Sequence, residues 1–69
     1  MTRHSVNSSN IASVGHDPST GTLEVEFKNG HVWRYTGVSI QDHNDLISAG
    51  SIGKHFHSRI KNNYTGSRA

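Results

Sequence analysis

A chain of 69 residues has room for one domain, and without a single cysteine it has no disulfide staple, no thiolate nucleophile and no cysteine-based zinc site. Its formal charge of +2, seven Lys/Arg against five Asp/Glu with histidine neutral, is an ordinary solubility charge and does not by itself mark a polyanion binder. No apolar run approaches the ~18 residues of a membrane span, and Met1-Thr2-Arg3-His4-Ser5 lacks the apolar core of a secretory signal, so a small cytoplasmic protein is expected.

The opening residues, polar around a lone Val6, read as a flexible arm over 1–9, ahead of a single domain over 10–64 and a flexible tail over 65–69. Ile11-Ala12-Ser13-Val14-Gly15-His16 is the first strand, modest in propensity because of Gly15. Asp17-Pro18-Ser19-Thr20-Gly21 then turns the chain: Pro18 presets φ and the Asp17 carboxylate can bond backbone two residues on. Closing that loop over four residues pairs Asp17 with Thr22, His16 with Leu23 and Val14 with Val25. Ala12, Val14 and His16 then share one face.

Residues 22–28 alternate, with Leu23, Val25 and Phe27 against Thr22, Glu24, Glu26 and Lys28, the period of a half-buried strand. Asn29-Gly30 supplies the next turn, and two registers compete for it. A two-residue loop would set Trp33 and Tyr35 beside Glu24 and Glu26. A three-residue loop with Gly30 left-handed pairs Phe27 with His31, Val25 with Trp33 and Leu23 with Tyr35. Only the second collects the apolar side chains on one face and puts Glu24 opposite Arg34, and a one-residue slip would flip them all. The three-residue loop is therefore expected, with Glu24 and Glu26 exposed and the strand over 11–16 left as an open edge.

Ser39 caps a helix that runs to about Ala49 and stops at Gly50, with Ile40, Ile47 and, less well aligned, Leu46 as its apolar stripe, and with His43 and Asn44 where apolar residues would be expected. Ser51 caps a second, in which Ile52, Phe56, Ile60 and Tyr64 recur every four residues, ending near Asn62. The expected fold is α+β: a three-stranded antiparallel β-meander whose one apolar face is covered by two C-terminal helices, in the order βββαα. Phe56, Ile60, Trp33, Tyr35, Val25 and Phe27 should form one cluster.

With these elements in place the chain resembles the KTSC domain, a small domain named from a C-terminal segment of certain lysyl-tRNA synthetases and also found alone in bacteria and phages. The resemblance runs from about Ser8 to Tyr64. It rests on Ser8-Ser9-Asn10-Ile11, the Asp17-Pro18 turn with Gly21, Leu23-x-Val25-x-Phe27-x-x-Gly30, the aromatic-x-aromatic centre, Val38, and Ser51-x-Gly53-x-x-Phe56 with Ile60 and Tyr64. Two positions depart from the pattern: the central Tyr-x-Tyr is here Trp33-Arg34-Tyr35, and an Asn that often follows the helical aromatic is His57. The resemblance implies the α+β fold and, from the synthetase context, RNA binding.

Candidate sites follow from charge and aromatics. Every acid lies between Asp17 and Asp45, while Lys54, Arg59, Lys61 and Arg68 come after the last of them. Lys54, His57 and Lys61 share one side of the second helix, where phosphates would find cations; a solvated helix face is the plainer account. Trp33 and Tyr35 are either core packing or, if exposed, a stacking platform for bases. His55 and His57, at i and i+2 on a helix, point apart and cannot easily share a metal ion, and His16 and His31 are expected near each other at the sheet's end. Ser51, His55 and Asp45 are residue types a hydrolase uses, without a motif that assembles them. No catalytic role, metal or cofactor is assigned. The expected job is a non-enzymatic binding module for RNA through Lys54, His57, Arg59, Lys61 and Arg68. The alternative is an interaction module for a host protein or a second copy, the chain being a monomer or weak homodimer.

Overall fold

A computed structural model describes residues 2–69. Five strands, β1 (His4–Ser5), β2 (Ile11–Asp17), β3 (Thr22–Phe27), β4 (Val32–Tyr35) and β5 (Gly66–Arg68), form one antiparallel sheet in sequence order. Between β4 and β5 lie α1 (Ile40–Ser48) and α2 (Ile52–His55), the latter running directly into a π-helical segment, Phe56–Lys61. The α+β class and the two helices after the hairpins are as the sequence implies. The strand count is corrected from three to five.

The central register is the one that burial demands. Leu23 pairs with Tyr35, Glu24 with Arg34 and Val25 with Trp33, and the loop closes through Phe27 N–H to the His31 carbonyl at 2.8 Å and Gly30 N–H to the Phe27 carbonyl at 2.9 Å. Gly30 takes φ 93°, which a side chain would strain. Across the first hairpin, Asp17 meets Thr22, His16 meets Leu23 and Val14 meets Val25. One detail is corrected here. The register shifts between Ile11 and Ser13, so Ala12 is the extra residue of a bulge and Ile11 takes its place in the core.

The segments read as an arm and a tail pair as the two outer strands, so β2 is not an open edge. Such short pairings leave no periodic signal, and each is accompanied by a contact to a residue far along the chain. Arg3, just before β1, reaches across β2 to Glu24 at 2.7 Å, while Arg34 holds the other carboxylate oxygen at 2.7 Å. Glu24 was expected in solvent and is instead only 7% exposed beneath these two guanidiniums. The Arg34 hydrogen bond, ahead of the Arg3 charge, holds its carboxyl below the usual glutamate range against the opposing effect of burial. Glu26 is half-buried and accepts from Ser13 Oγ. At the far edge, Gly66 lies opposite Tyr35, and a Cβ there would come within 2.7 Å of the Tyr35 Cδ1. Only glycine lets β5 lie this close to the ring.

Ser39 Oγ caps α1 by accepting from Asp42 N–H, and the helix leaves through Ala49 in an extended conformation. Gly50 is not among the left-handed glycines. The stripe expected on α1 is corrected: Leu46 is fully buried, but Ile40 and Ile47 are 50% and 43% exposed, and His43 turns inward in their stead. Ser51 caps α2 through Lys54 N–H. Residues spaced by four drift around a 3.6-residue α-helix, whereas wider π turns take the drift back. That is how Ile52, Phe56 and Ile60 all stay buried along one line. Tyr64 extends the line, half-buried, its hydroxyl donating to Asp42 on α1. The core is Ile11, Val14, Leu23, Val25, Tyr35, Val38, Leu46, Ile52, Phe56 and Ile60, with Val6, Phe27, Trp33 and Tyr64 packed on its edge. Among the described residues, no helix is long and apolar enough to cross a membrane.

Candidate functional site

The C-terminal helical segment does not close fully over β4. The gap is a groove of about 460 Å³, with Phe27, Trp33, Tyr35 and Phe56 at its base and Asn29, His31, His57, Lys61, Tyr64 and Gly66 around it. Its floor is an extension of the core. Phe56 is met edge-on by Phe27 at 5.4 Å and by Tyr35 at 5.5 Å between ring centres. Trp33 packs against the same cluster but is only half-buried, so it is neither a fully sealed core residue nor a free platform. Tyr35 is 5% exposed, and burial pushes its phenol up from the ordinary value. Its hydroxyl has no hydrogen-bond partner among the described residues.

Basic side chains stand at the rim. His57 lies edge-on to Phe56 at 5.7 Å, and Lys61 follows it one turn on. Arg68 is the β5 partner of Trp33 and so projects on the same face of the sheet. Past Asn29 and His57 the groove continues into a shallower depression that adds Lys28, Ser9 and Asn10. No carboxylate lines either depression among the described residues.

Of the candidate cations, the structure brings His57 and Lys61 together at this groove, with Arg68 across the Trp33 position. Lys54 is exposed but lies outside it, and Arg59 shares a separate depression with Asp42, Asp45 and His55. His55 and His57 thus face different depressions. Among the described residues, no three His, Cys, Asp or Glu side chains are grouped as a metal site. Ser51 Oγ accepts from Lys54 N–H as a helix cap. The expected approach of His16 to His31 is corrected: His31 lines the groove, while His16 stacks on His43 at 5.2 Å. The groove residues not foreseen, Phe27, Asn29, His31, Tyr64 and Gly66, come together only through the chain's long-range closure. Gly66 is the hardest to foresee, because its role is defined by the ring opposite it.

Comparison with known proteins bears on identity. A family model described as the KTSC domain matches residues 7–64. An uncharacterized protein from Stutzerimonas stutzeri (strain A1501) is 39% identical over 61 residues, covering 88% of this chain and 86% of that one. A KTSC domain protein from Yersinia pestis, known from its crystal structure, superposes with a TM-score of 0.92 at 35% identity, covering 99% of this chain and 96% of that one. By family model, sequence and fold together, the chain belongs to the KTSC domain family.

Proposed function

We propose that this chain is a small non-enzymatic binding module for single-stranded nucleic acid, RNA in the first place, and that the groove between β4 and the C-terminal helix is where the strand lies. One observation carries the reading. An aromatic floor is bordered by Lys61, His57 and, further along, Lys28, with no carboxylate among the described lining residues. Aromatic rings under a cationic path are the two parts of sequence-tolerant single-strand recognition, stacking for the bases and charge for the phosphates. Arg68 adds a cation beside Trp33. Lys54 and Arg59, off this path, contribute little.

The test is anisotropy of a labelled single-stranded RNA as salt is raised. Each phosphate contact to a single strand contributes a slope of about −0.7 in log K against log salt. Lys61→Glu with Arg68→Glu is expected to flatten the slope by roughly 1.4 and weaken binding by on the order of 10- to 100-fold at low salt. The far-UV circular dichroism should not change, since both side chains are exposed. Lys54→Glu should bind nearly as the parent does. Equal losses from both variants, or no binding to RNA in low salt, would remove this assignment.

The rival, a protein-interaction module, draws on the exposed Ile40 and Ile47, which lie two turns apart on α1. Capture from lysate that survives nuclease and is abolished by Ile40→Lys with Ile47→Lys would favour it.

A further inference from the structure

Resting on the nucleic-acid reading, we propose that the groove is a pocket for one unpaired nucleobase, stacked on Trp33 and hydrogen-bonded to the Tyr35 hydroxyl, with its phosphates toward Lys61 and Arg68. Four features of the groove argue for a base rather than for charge attraction alone.

Trp33 takes part in none of the ring pairs formed among the described residues, which join Phe27 and Tyr35 to Phe56, His57 to Phe56 and His16 to His43. A half-buried indole that no other ring covers keeps part of its surface open to the groove it lines. Tyr35 supplies the second feature. Its ring is buried, but its hydroxyl is not among the buried polar atoms left without a partner and so opens toward solvent, whereas the Tyr64 hydroxyl is spent on Asp42. Tyr35 lines the groove without such a partner, so its hydroxyl is available to an occupant that carries hydrogen-bonding groups.

Size is the third feature. A volume of about 460 Å³ falls at the lower end of the ~300–1,000 Å³ of small-molecule sites and suits one nucleotide rather than a stack of bases. The fourth is charge. Lys61 at the rim and Arg68 opposite Trp33, without a lining carboxylate among the described residues, complement a phosphate flanking the inserted base. A purely apolar occupant would leave the hydroxyl and the cations unused, and an acidic peptide would leave the aromatic floor unused. Stacking on an indole and a hydrogen bond to a hydroxyl, which can donate or accept, suit any base, so the pocket is expected to be sequence-tolerant.

Trp33 is the chain's single tryptophan, so its fluorescence reports on the groove alone. The full chain is titrated at low salt with a short oligouridylate and with an abasic oligomer of the same length. The oligouridylate should quench Trp33 saturably, and the abasic oligomer should bind roughly tenfold or more weakly, the loss of one base–aromatic stack, without quenching. Tyr35→Phe keeps the ring and its packing, so it should melt within a few degrees of the parent while weakening oligouridylate binding several-fold. Equal affinity for both oligomers, or binding without a fluorescence change, would overturn the base pocket and leave the phosphate-binding reading standing. Failure of both oligomers to bind would overturn both. Quenching by oligoglutamate and not by oligouridylate would reassign the groove to an acidic protein segment.

Discussion

Phe56→Ala is expected to cost about 3–5 kcal/mol, the range for truncating a buried aromatic, and so to leave much of the protein unfolded. Phe56 is 2% exposed and stands where sheet, helix and groove meet, with Phe27 and Tyr35 both edge-on to its ring. Removing it costs the transfer energy of the ring and leaves a cavity. The walls of that cavity are a β-sheet on one side and a π-helical turn on the other, and neither can collapse inward easily. At roughly 0.05–0.15 kcal/mol per residue a domain of this length has about 3–10 kcal/mol to lose, and it buries only about 60% of its unfolded surface. Ile60→Val, one turn on and equally buried, should cost about 0.5–1.5 kcal/mol. Urea unfolding followed by circular dichroism compares the two directly. A Phe56→Ala midpoint close to that of Ile60→Val would mean that the ring is not the keystone its contacts indicate.

The parts of this fold that could be read from the sequence are those where burial and turn chemistry point the same way. The hairpin register followed from where Trp33 and Tyr35 had to go, and Gly30 agreed with it. The helix starts followed from Ser39 and Ser51, each of which accepts the capping hydrogen bond expected of it. The outer strands were hidden because their stability lies in long-range contacts. Arg3 needs Glu24, more than twenty residues away, and Gly66 matters only because Tyr35 is across from it. The face of α1 differs for another reason: the helical period marks position 43 as inward, but a histidine there gives no apolar signal, while two isoleucines point outward. As for the groove, Lys54, His57, Arg59 and Lys61 were visible as a basic run, but which of them share a side depends on the phase of the helix. Arg59, two residues from both His57 and Lys61, falls on the other side in any helical geometry, with Asp42 and Asp45, while Lys54 in the first turn lies outside the groove.

The inward histidine leads to a second effect, loss of stability in mild acid. His43 on α1 stacks on His16 of β2 with the ring planes 22° apart, and the Nδ1 atoms of both are buried without a partner. The 2.7 Å contact from His16 Nε2 to the Val38 carbonyl requires Nε2 to carry a proton. Burial, then the charge of His16 and then that of His4 on β1, pull His43 below the ordinary histidine value. The folded protein therefore takes up this proton less readily than the unfolded chain, whose histidine titrates near ~6.5. Stability should be undiminished by this group above that value and fall as pH drops below it, until the depressed folded value is passed. Glu24 and Asp17 titrate below the ordinary carboxylate values and stay charged throughout this window. His43→Leu fills the same space without a titrating group or an unsatisfied nitrogen, so it should melt higher than the parent at pH 5 by a clearly larger margin than at pH 8. If the variant and the parent lose the same number of degrees between those two pH values, His43 is not the acid-sensitive element of this fold.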